Sequence, residues 1–497
     1  MSQTDQIKQQ PQPLRISIEN QKLLFQTFLD LKDNERILFS GIFGIGKTYF
    51  LNQFFQVNDK FVSIHLYPTN YAVSTNEDIF EYIKFDILYE LLSKGIKLEK
   101  IEVSKLQATT LLSSDEQFEI FTKFIETIPE IGKKVTDVIK PLKEIVDVIN
   151  KKAKQVSIDE GKKLQEFAVQ IGSKKGSIYE NDFYSELITK LIDQLKESGK
   201  KQVVVIVDDL DRIDPEHIFR ILNIFAVHFD GTRVSEYTNK FGIDKIILSC
   251  DVNNIRLMFG ARYGIDTDFN GYIDKFYSRE VYHFDNRQFI SDAVEEITLT
   301  INYVNVDKRS EPWLKGKVLT PFLNYVLKSM IISQALNLRT LLRLFNKTLK
   351  FSKIILDFKS ERYEPIYNSQ LPITQIFDLL ISLFETQHSA LAALERSDFG
   401  TFDPKSLDSL KIYEYILIVS ESGNHRFKTA IDQKLQEGIN YSIHNLSTGI
   451  ELSIQEKKDQ RHMLDNHTFS AGQLKSKFDA AFKIYLNVKR RSSPEIN

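Results

Sequence analysis

Hydrophobic residues along this chain follow two different spacings. From Ser17 onward the spacing is helical, and it predicts a first helix whose broad apolar face carries Leu23, Leu24, Phe28, Leu29 and Leu31. Five short apolar runs follow, at residues 36–40 (RILFS), 61–66 (FVSIHL), 202–207 (QVVVIV), 245–250 (KIILSC) and 280–284 (EVYHF). Runs of this length and composition are typical of β-strands.

The segments between these runs have helical spacing, for example residues 76–92 after the second run. Strands that alternate with helices favour a parallel sheet, because each helix carries the chain back to the edge where the next strand begins. The run at 202–207 is apolar at nearly every position, as expected for a central strand covered on both faces. The sequence therefore predicts an α/β fold with a parallel five-stranded sheet.

The alternation of strands and helices is interrupted once and then ends, which divides the chain into predicted regions. Residues 1–16 are rich in Gln and Pro, so we expect a disordered tail there. The sheet is expected in two parts, 17–100 and 179–285, around a lysine-rich helical insertion at 101–178. Beyond the sheet we expect a helical lid at 286–350 and an all-α C-terminal domain at 351–497.

Composition narrows the class of protein. Hydrophobic residues make up 42% of the 497 positions and charged residues 27%, which are ordinary values for globular domains. The net charge is only −2, so the strongly basic balance of a dedicated nucleic-acid-binding protein is excluded. A local basic face remains compatible with this balance.

Cysteine content and hydropathy indicate the cellular compartment in which the protein is expected. Cys250 is the single cysteine, so no disulfide can form within the chain, and no apolar leader with a cleavage site is recognised at the N-terminus. The most apolar long stretch, Leu371 to Leu394, is interrupted by Asp378 and Glu385. We expect a cytoplasmic protein without a membrane span.

The first predicted strand runs into a glycine-rich segment that fits the Walker A pattern G-x-x-x-x-G-K-[ST]. Its residues are Gly41, Ile42, Phe43, Gly44, Ile45, Gly46, Lys47 and Thr48, and Tyr49 follows. The position between a strand and a helix is what gives this pattern its meaning, since an accidental glycine turn need not have that context. We take Gly41 to Tyr49 as the predicted binding segment for ATP.

Each part of this loop can interact with the negative charge of a phosphate group. Glycines let backbone N–H groups approach phosphate oxygens closely, and the helix that starts near Lys47 adds its positive N-terminal dipole. Lys47 supplies a point charge for the β and γ phosphates, and Thr48 offers a hydroxyl to Mg²⁺. The pattern thus predicts ATP and Mg²⁺ as ligands.

The third apolar run leads directly into the acidic sequence Asp208-Asp209-Leu210-Asp211-Arg212. Ligands of open α/β sheets bind at the carboxyl ends of the strands, so these carboxylates are placed where Mg²⁺ would lie. Asp208 is the candidate metal ligand of a Walker B motif, and Asp209 the candidate that orients or deprotonates the attacking water. The two roles could be exchanged, and a surface turn that caps the next helix is the structural alternative.

Taken together, these motifs resemble the KAP family of P-loop NTPases, within the wider AAA+ and STAND-like group. The resemblance covers residues 17 to 350 and rests on GIFGIGKT, VVVIVDDLDR, the SCD at 249–251 with the later GYIDKFYSRE, and LNLRTLLRLFN at 336–346. The family usually has a proline before the arginine of the last motif, where this chain has Leu338. That difference weakens the fourth match.

The resemblance implies an ATPase whose helical lid couples nucleotide state to signalling or assembly. By this comparison Asp251 would sense the γ-phosphate and Arg339 would be a second sensor in the lid. The alternatives are that Asp251 caps the helix after its strand and that Arg339 lies on a solvated helix face. Arg212 and Arg279 could act on the ATP of a neighbouring subunit, or each could form a structural salt bridge.

The insertion contains an amphipathic pattern instead of the transmembrane helices that many KAP members carry in this interval. Its apolar residues are Ile131, Val135, Val138, Leu142, Ile145 and Ile149, with lysines between them. This pattern could bind a partner protein, an anionic surface or nucleic acid, or it could pack on its own neighbours. Three functions stay open: an ATP-driven switch, as in anti-phage defence or signalling, with homo-oligomers or a partner; a non-hydrolysing ATP-binding scaffold; and a DNA-associated AAA+ machine.

Overall fold

The computed structural model describes most of the sheet-containing region and parts of the C-terminal half. The residues described are 18–71, 79–94, 183–199, 201–228, 239–304, 319–350, 355–356, 366–367, 372–401, 430–431, 438–446, 449–455 and 471–492. The insertion at 101–178 and the tail at 1–16 lie outside these residues, so their predicted structures and partners stay predictions.

Internal contacts divide the chain into two compact units. One is Glu19–Asp285, and the other is Asn286–Asn497 together with Met1–Ile18. The first unit contains, in chain order, α1 (Glu19–Leu29), β1 (Arg36–Ser40), α2 (Lys47–Val57), β2 (Phe61–Leu66), α3 (Ile79–Ser93), α4 (Phe183–Gly199), β3 (Gln202–Val207), α5 (Pro215–His228), β4 (Lys245–Cys250), α6 (Val252–Tyr263), α7 (Phe269–Ile273) and β5 (Tyr282–His283).

All five strands of this unit form one parallel sheet in the order β2-β3-β4-β1-β5. The strand before the glycine-rich loop, β1, is therefore separated by β4 from the strand before the acidic segment, β3. Because the strands are parallel, the carboxyl ends of β1, β3 and β4 lie along the same edge of the sheet. This order brings the two predicted motifs to one edge, with the end of β4 between them.

The sheet is covered by helices on both faces. On one face Leu38, Val205 and Leu248 join a core cluster with apolar residues of α3, α4, α5 and α6. On the other face Phe39 packs against Phe25 of α1 and Phe50 of α2, with ring centroids 5.2 and 5.9 Å apart. Strand β3 is buried from Val203 to Val207, which confirms the prediction of a central strand covered on both sides.

Helix α1 is present, but its buried face differs from the predicted one. Phe28 and Leu29 are buried as expected, and Phe25 and Gln21 complete the buried set. Leu23 and Leu24 are 70% and 63% exposed, and Leu31 lies after the helix and is 43% exposed. The prediction was wrong here because the apolar residues cover more than one side of the helix, and only the side with Phe25 faces the aromatic cluster.

The second unit is mainly helical. Its elements in chain order are α8 (Arg287–Asp292), α9 (Val294–Leu299), β6 (Asn302–Val304), α10 (Leu319–Ile332), α11 (Leu338–Leu342), β7 (Thr348–Lys350), β8 (Ile355–Leu356), β9 (Ile366–Tyr367), α12 (Pro372–Phe384), α13 (Gln387–Arg396), β10 (Ala430–Ile431), β11 (Gly438–Leu446), β12 (Gly449–Gln455) and α14 (Ala471–Ser492). Helices α12 and α14 pack through Phe377, which contacts the rings of Phe478, Phe482 and Tyr485.

The expected all-α C-terminal region needs correction. Strands β10, β11 and β12 form a three-stranded sheet with antiparallel pairs, and β8 pairs antiparallel with β9. The signal lies in the sequences GINYSIHNL and GIELSIQ, where apolar residues alternate with polar ones at the period of a strand. The fold class itself, an α/β core with a parallel five-stranded sheet, is confirmed.

Candidate functional site

The glycine-rich segment forms a loop between the end of β1 and the start of α2. Gly44 and Gly46 have φ angles of 78° and 98°, in the left-handed region that residues with a Cβ rarely adopt. Gly46 precedes α2 and makes no side-chain cap, so the first N–H groups of the helix are not satisfied by a capping side chain. An uncapped helix N-terminus behind a glycine loop is suited to bind an anion.

Gly41 is required for a different reason, which is lack of space. Its N–H donates to the carbonyl of Cys250, at 3.0 Å, and this bond ties the start of the loop to the end of β4. A Cβ at this position would lie 2.9 Å from the carbonyl oxygen of Phe284 and 3.2 Å from Cγ2 of Ile45. Any larger residue at position 41 would therefore force the loop or the backbone at Phe284 to shift.

The ammonium group of Lys47 is held at the loop. Its Nζ donates to the carbonyl oxygen of Gly41 at 2.7 Å and lies 3.5 Å from that of Ile42. The residue is only 6% exposed although it carries a charge. A buried lysine at the mouth of an anion-binding loop places its charge where a bound phosphate would need it.

The remaining residues of the predicted binding segment divide into buried and exposed ones. Ile45 is 2% exposed and anchors the loop in the core, whereas Phe43 and Tyr49 are 43% and 45% exposed. Thr48 lies in the first turn of α2, and its hydroxyl is an oxygen ligand of the kind that Mg²⁺ prefers. The structure thus keeps Gly41 to Tyr49 together as one continuous loop and helix start.

The acidic segment begins where β3 ends. Asp208 is 1% exposed, its N–H donates to the carbonyl of Leu66 on β2, and its Oδ1 accepts the N–H of Asp209 at 2.9 Å. Asp209 has a left-handed backbone with φ 53°, which is uncommon for a residue other than glycine. The chain therefore turns sharply at Asp209 and presents two adjacent carboxylates at the carboxyl edge of the sheet.

Electrostatic interactions connect Asp209 to the loop. Burial and the neighbouring charge of Asp208 raise the pKa of Asp209, whereas the charges of Arg212 and Lys47 lower it. The Arg212 guanidinium pairs with Oδ2 of Asp209 at 2.8 Å. The same guanidinium lies over the ring of Phe43, 5.0 Å from its centroid. Loop and acidic turn are thus in direct contact.

Asp251 directly follows β4, and a hydrogen bond connects it to Asp211 of the acidic segment. Asp251 is buried and caps α6, since its Oδ1 accepts the N–H of Asn253 at 3.0 Å. The N–H of Asp251 in turn donates to Oδ2 of Asp211, at 3.2 Å. The helix-capping interpretation of Asp251 is therefore correct, and its role as a γ-phosphate sensor stays a prediction.

Arg339 and Arg279 were also named from the sequence. Arg339 is exposed on α11, in the unit Asn286–Asn497, and its sensor role stays a prediction. Arg279 donates to the carbonyl of Lys32 at 2.7 Å and lies 3.8 Å from the carboxylate of Asp33. Both contacts of Arg279 are made within its own unit, as expected for a residue with a structural role.

Three further polar residues near the acidic edge were not predicted as site residues. Burial lowers the pKa of His65 on β2 to about 4, although the charge of Asp208 acts in the opposite direction. Burial and the charges of Asp208 and Glu90 raise the pKa of Tyr67 to about 12. Ser249 on β4 is fully buried, and its Oγ has no hydrogen-bond partner among the described residues. The signal for His65 and Ser249 was a polar residue inside an apolar run, and Tyr67 follows such a run directly.

The residues that would hold Mg²⁺ fit that ion by their chemistry. Thr48 and Asp208 offer a hydroxyl and a carboxylate, both hard oxygen ligands, and a magnesium ion usually takes only one or two such protein ligands beside phosphate and water. No cluster of three or more His, Cys, Asp or Glu side chains suited to a metal occurs within the described residues. In that same part of the chain, no helix combines the length and apolar character needed to cross a bilayer.

A strand, a glycine loop with a buried lysine and an uncapped helix, with carboxylates at the end of a parallel strand on the same edge, define a nucleotide-binding P-loop NTPase domain. Comparison with known families agrees, because residues 26–236 match the KAP family P-loop domain. The chain therefore carries a P-loop domain of the KAP family. No curated protein matches the chain.

Proposed function

We propose that this protein binds Mg-ATP at the loop Gly41 to Thr48 and hydrolyses it to drive a conformational or assembly switch. The observation that carries the proposal is the contact between the two motifs. The charge of Lys47 acts on the carboxylate of Asp209, and Arg212 joins that carboxylate to Phe43 of the loop. Such proximity is what a site for cleavage of a terminal phosphate needs.

Each side chain receives a role from its position. Lys47 and the N–H groups at the start of α2 bind phosphate oxygens, and Thr48 and Asp208 hold Mg²⁺, which when bound neutralises charge on the phosphates. Asp209 orients the attacking water and accepts its proton. Asp208 is the more buried of the two carboxylates and directly follows Val207, the last residue of β3, which supports its assignment to the metal and that of Asp209 to the water.

The wider proposal concerns what hydrolysis controls. In it the helices of 286–350 act as a lid with Arg339 as a sensor, and Asp251 reports the γ-phosphate from the end of β4. Nucleotide state would then change the assembly of the protein as a homo-oligomer or with a partner protein. The resemblance to KAP and STAND-like proteins supports anti-phage defence or signalling as the setting, in the cytoplasm.

Phosphate release and particle mass together test this proposal. We expect multiple turnovers of ATP by the wild-type protein, loss of turnover in Asp208→Ala and Asp209→Asn, and a change in mass by light scattering when Mg-ATP is added. Turnover that is indifferent to both substitutions would refute the assigned site. Tight ATP binding without turnover would instead favour the non-hydrolysing scaffold.

A further inference from the structure

Arg212 makes two contacts that join separate parts of the nucleotide site. Its guanidinium is paired with Asp209 three residues earlier, with 2.8 Å between NH1 and Oδ2. Its Cζ lies 5.0 Å from the centroid of the Phe43 ring, at the tip of the phosphate-binding loop.

We propose that Arg212 is a positioning residue for hydrolysis, which fixes the carboxylate of Asp209 against the phosphate-binding loop. This inference rests on the proposed ATPase function and deepens it. One contact sets the direction of the Asp209 carboxylate, and the other sets where the guanidinium stands relative to the loop. Loop, arginine and carboxylate thereby form one connected unit.

The backbone conformation of Asp209 explains why its carboxylate needs the contact with Arg212 to be held in place. A residue with φ 53° sits in a sparsely populated conformation, and its short side chain is not held by a regular helix or strand. The side chain of Asp209 is 21% exposed, so water can compete for its oxygens. A charged partner that occupies Oδ2 leaves Oδ1 as the oxygen that can orient water.

The ion pair between Arg212 and Asp209 is partly exposed, so its effect on turnover can be distinguished from its effect on stability. The side chain of Arg212 is 35% exposed, and partly exposed ion pairs contribute little to the free energy of folding. Displacement of a reacting group by about 1 Å, in contrast, can lower a rate about 100-fold. Loss of Arg212 should therefore affect turnover far more than thermal stability.

These contacts also bear on a role for Arg212 in a neighbouring subunit. A guanidinium that reached the ATP of another subunit would have to leave both Asp209 and Phe43. The position of Arg212 over its own loop favours action within the same chain. Mixing subunits separates the two modes, because an arginine that acts in trans restores activity to a neighbour that lacks it.

The test is steady-state ATP hydrolysis by Arg212→Ala and Arg212→Lys, with Arg262→Ala as control. Arg262 makes the same kinds of contact elsewhere, 3.7 Å from the carboxylate of Glu216 and 5.7 Å from the centroid of the Tyr263 ring. We expect kcat of Arg212→Ala to fall about 10- to 100-fold with KM within about threefold. Lysine should restore part of kcat, and Arg262→Ala should match the wild type.

A double substitution adds an independent readout. If Arg212 acts only through Asp209, Arg212→Ala should lower kcat no further in an Asp209→Asn background. An unchanged kcat in Arg212→Ala, or restoration of its activity by Asp209→Asn subunits, would overturn the inference and leave the ATPase proposal intact. Absence of turnover in the wild type, or turnover that persists in Lys47→Ala, would overturn the proposed function and this inference with it.

Discussion

The ammonium nitrogen of Lys47 lies 2.7 Å from the carbonyl oxygen of Gly41, the residue that opens the same loop. This bond closes the loop on itself and holds a buried positive charge against it. The carbonyl is a neutral acceptor, whereas a phosphate oxygen is a charged one, so the lysine gains a stronger acceptor when a nucleotide binds. The loop is therefore built around a charge that a phosphate can use.

Replacement of Lys47 should weaken nucleotide binding. A hydrogen bond to a charged group contributes about 1.5–3 kcal/mol, so Lys47→Ala should raise the dissociation constant of Mg-ATP about 10- to 100-fold. Lys60→Ala is the matched control, since Lys60 forms an exposed ion pair with Asp30. Isothermal titration calorimetry of both variants measures the difference. Equal affinity in Lys47→Ala and the wild type would contradict the assigned phosphate site.

Gly41→Ala should destabilise the loop by crowding. The added Cβ would lie 2.9 Å from the backbone oxygen of Phe284, and relief of such a clash costs about 1–3 kcal/mol. Gly472→Ala on α14 serves as control, because a Cβ there meets no atom within 4 Å and alanine is the better helix former. Urea unfolding should show a lower midpoint for Gly41→Ala alone. Equal midpoints would mean that the loop adapts to the extra carbon.

Acid should destabilise the sheet through His65. Burial lowers its pKa to about 4, against about 6.5 in an unfolded chain, so between these values the unfolded state binds a proton that the folded state does not. Stability from this histidine is thus fully present above pH 6.5 and is lost as pH falls towards 4. The loss is on the order of 3 kcal/mol at about 1.4 kcal/mol per pKa unit.

Thermal unfolding from pH 7 to pH 4.5 checks this expectation. The decline in apparent Tm should be less steep in His65→Gln than in the wild type, because the variant lacks the group that titrates. His283→Gln, at an exposed position of β5, should keep the slope of the wild type. A slope that is the same in all three proteins would show that His65 does not govern the response to acid.

Asp211 should stabilise the junction between the acidic turn and α6. Its Oδ2 accepts the N–H of Asp251 at 3.2 Å and lies 3.4 Å from Nδ2 of Asn254. Asp211→Ala leaves those donors without this acceptor and should cost about 1–3 kcal/mol of unfolding free energy, measured with urea. Asp266→Ala, in an exposed loop, should be neutral. A neutral Asp211→Ala would show that water replaces the carboxylate at no cost.

Much of the nucleotide-binding unit was predictable from the sequence, because its strands are buried on both faces. Runs such as QVVVIV and KIILSC have to be apolar at nearly every position, and their predicted bounds agree with the strands found at 202–207 and 245–250. The fifth run was predicted at 280–284 but forms a strand only at Tyr282–His283. It lies at the edge of the sheet, and its register with β1 is limited to Phe39 and Ser40.

The phosphate-binding loop and the acidic turn were recognisable because each is local in sequence. The contacts that join them were not, since the pair between Phe43 and Arg212 depends on how the sheet orders its strands. His65 was overlooked for a related reason: FVSIHL contains two polar residues, Ser63 and His65, and both read as part of an apolar strand until the neighbouring strand is known. The error at residues 438–455 is different. The alternation of apolar and polar residues that is typical of strands is present in this sequence, but the region was predicted to be helical.

Phosphate release from Mg-ATP tests the central claim most directly, with wild type, Asp209→Asn and Asp214→Asn compared at saturating nucleotide. Asp214 caps the next helix, where its Oδ1 accepts the N–H of Glu216 at 2.8 Å, so it is a nearby carboxylate outside the site. We expect steady turnover by wild type and Asp214→Asn, and turnover at least about 100-fold slower in Asp209→Asn with ATP binding retained. Equal turnover in all three proteins would contradict the assignment of Asp209 and the site built around it.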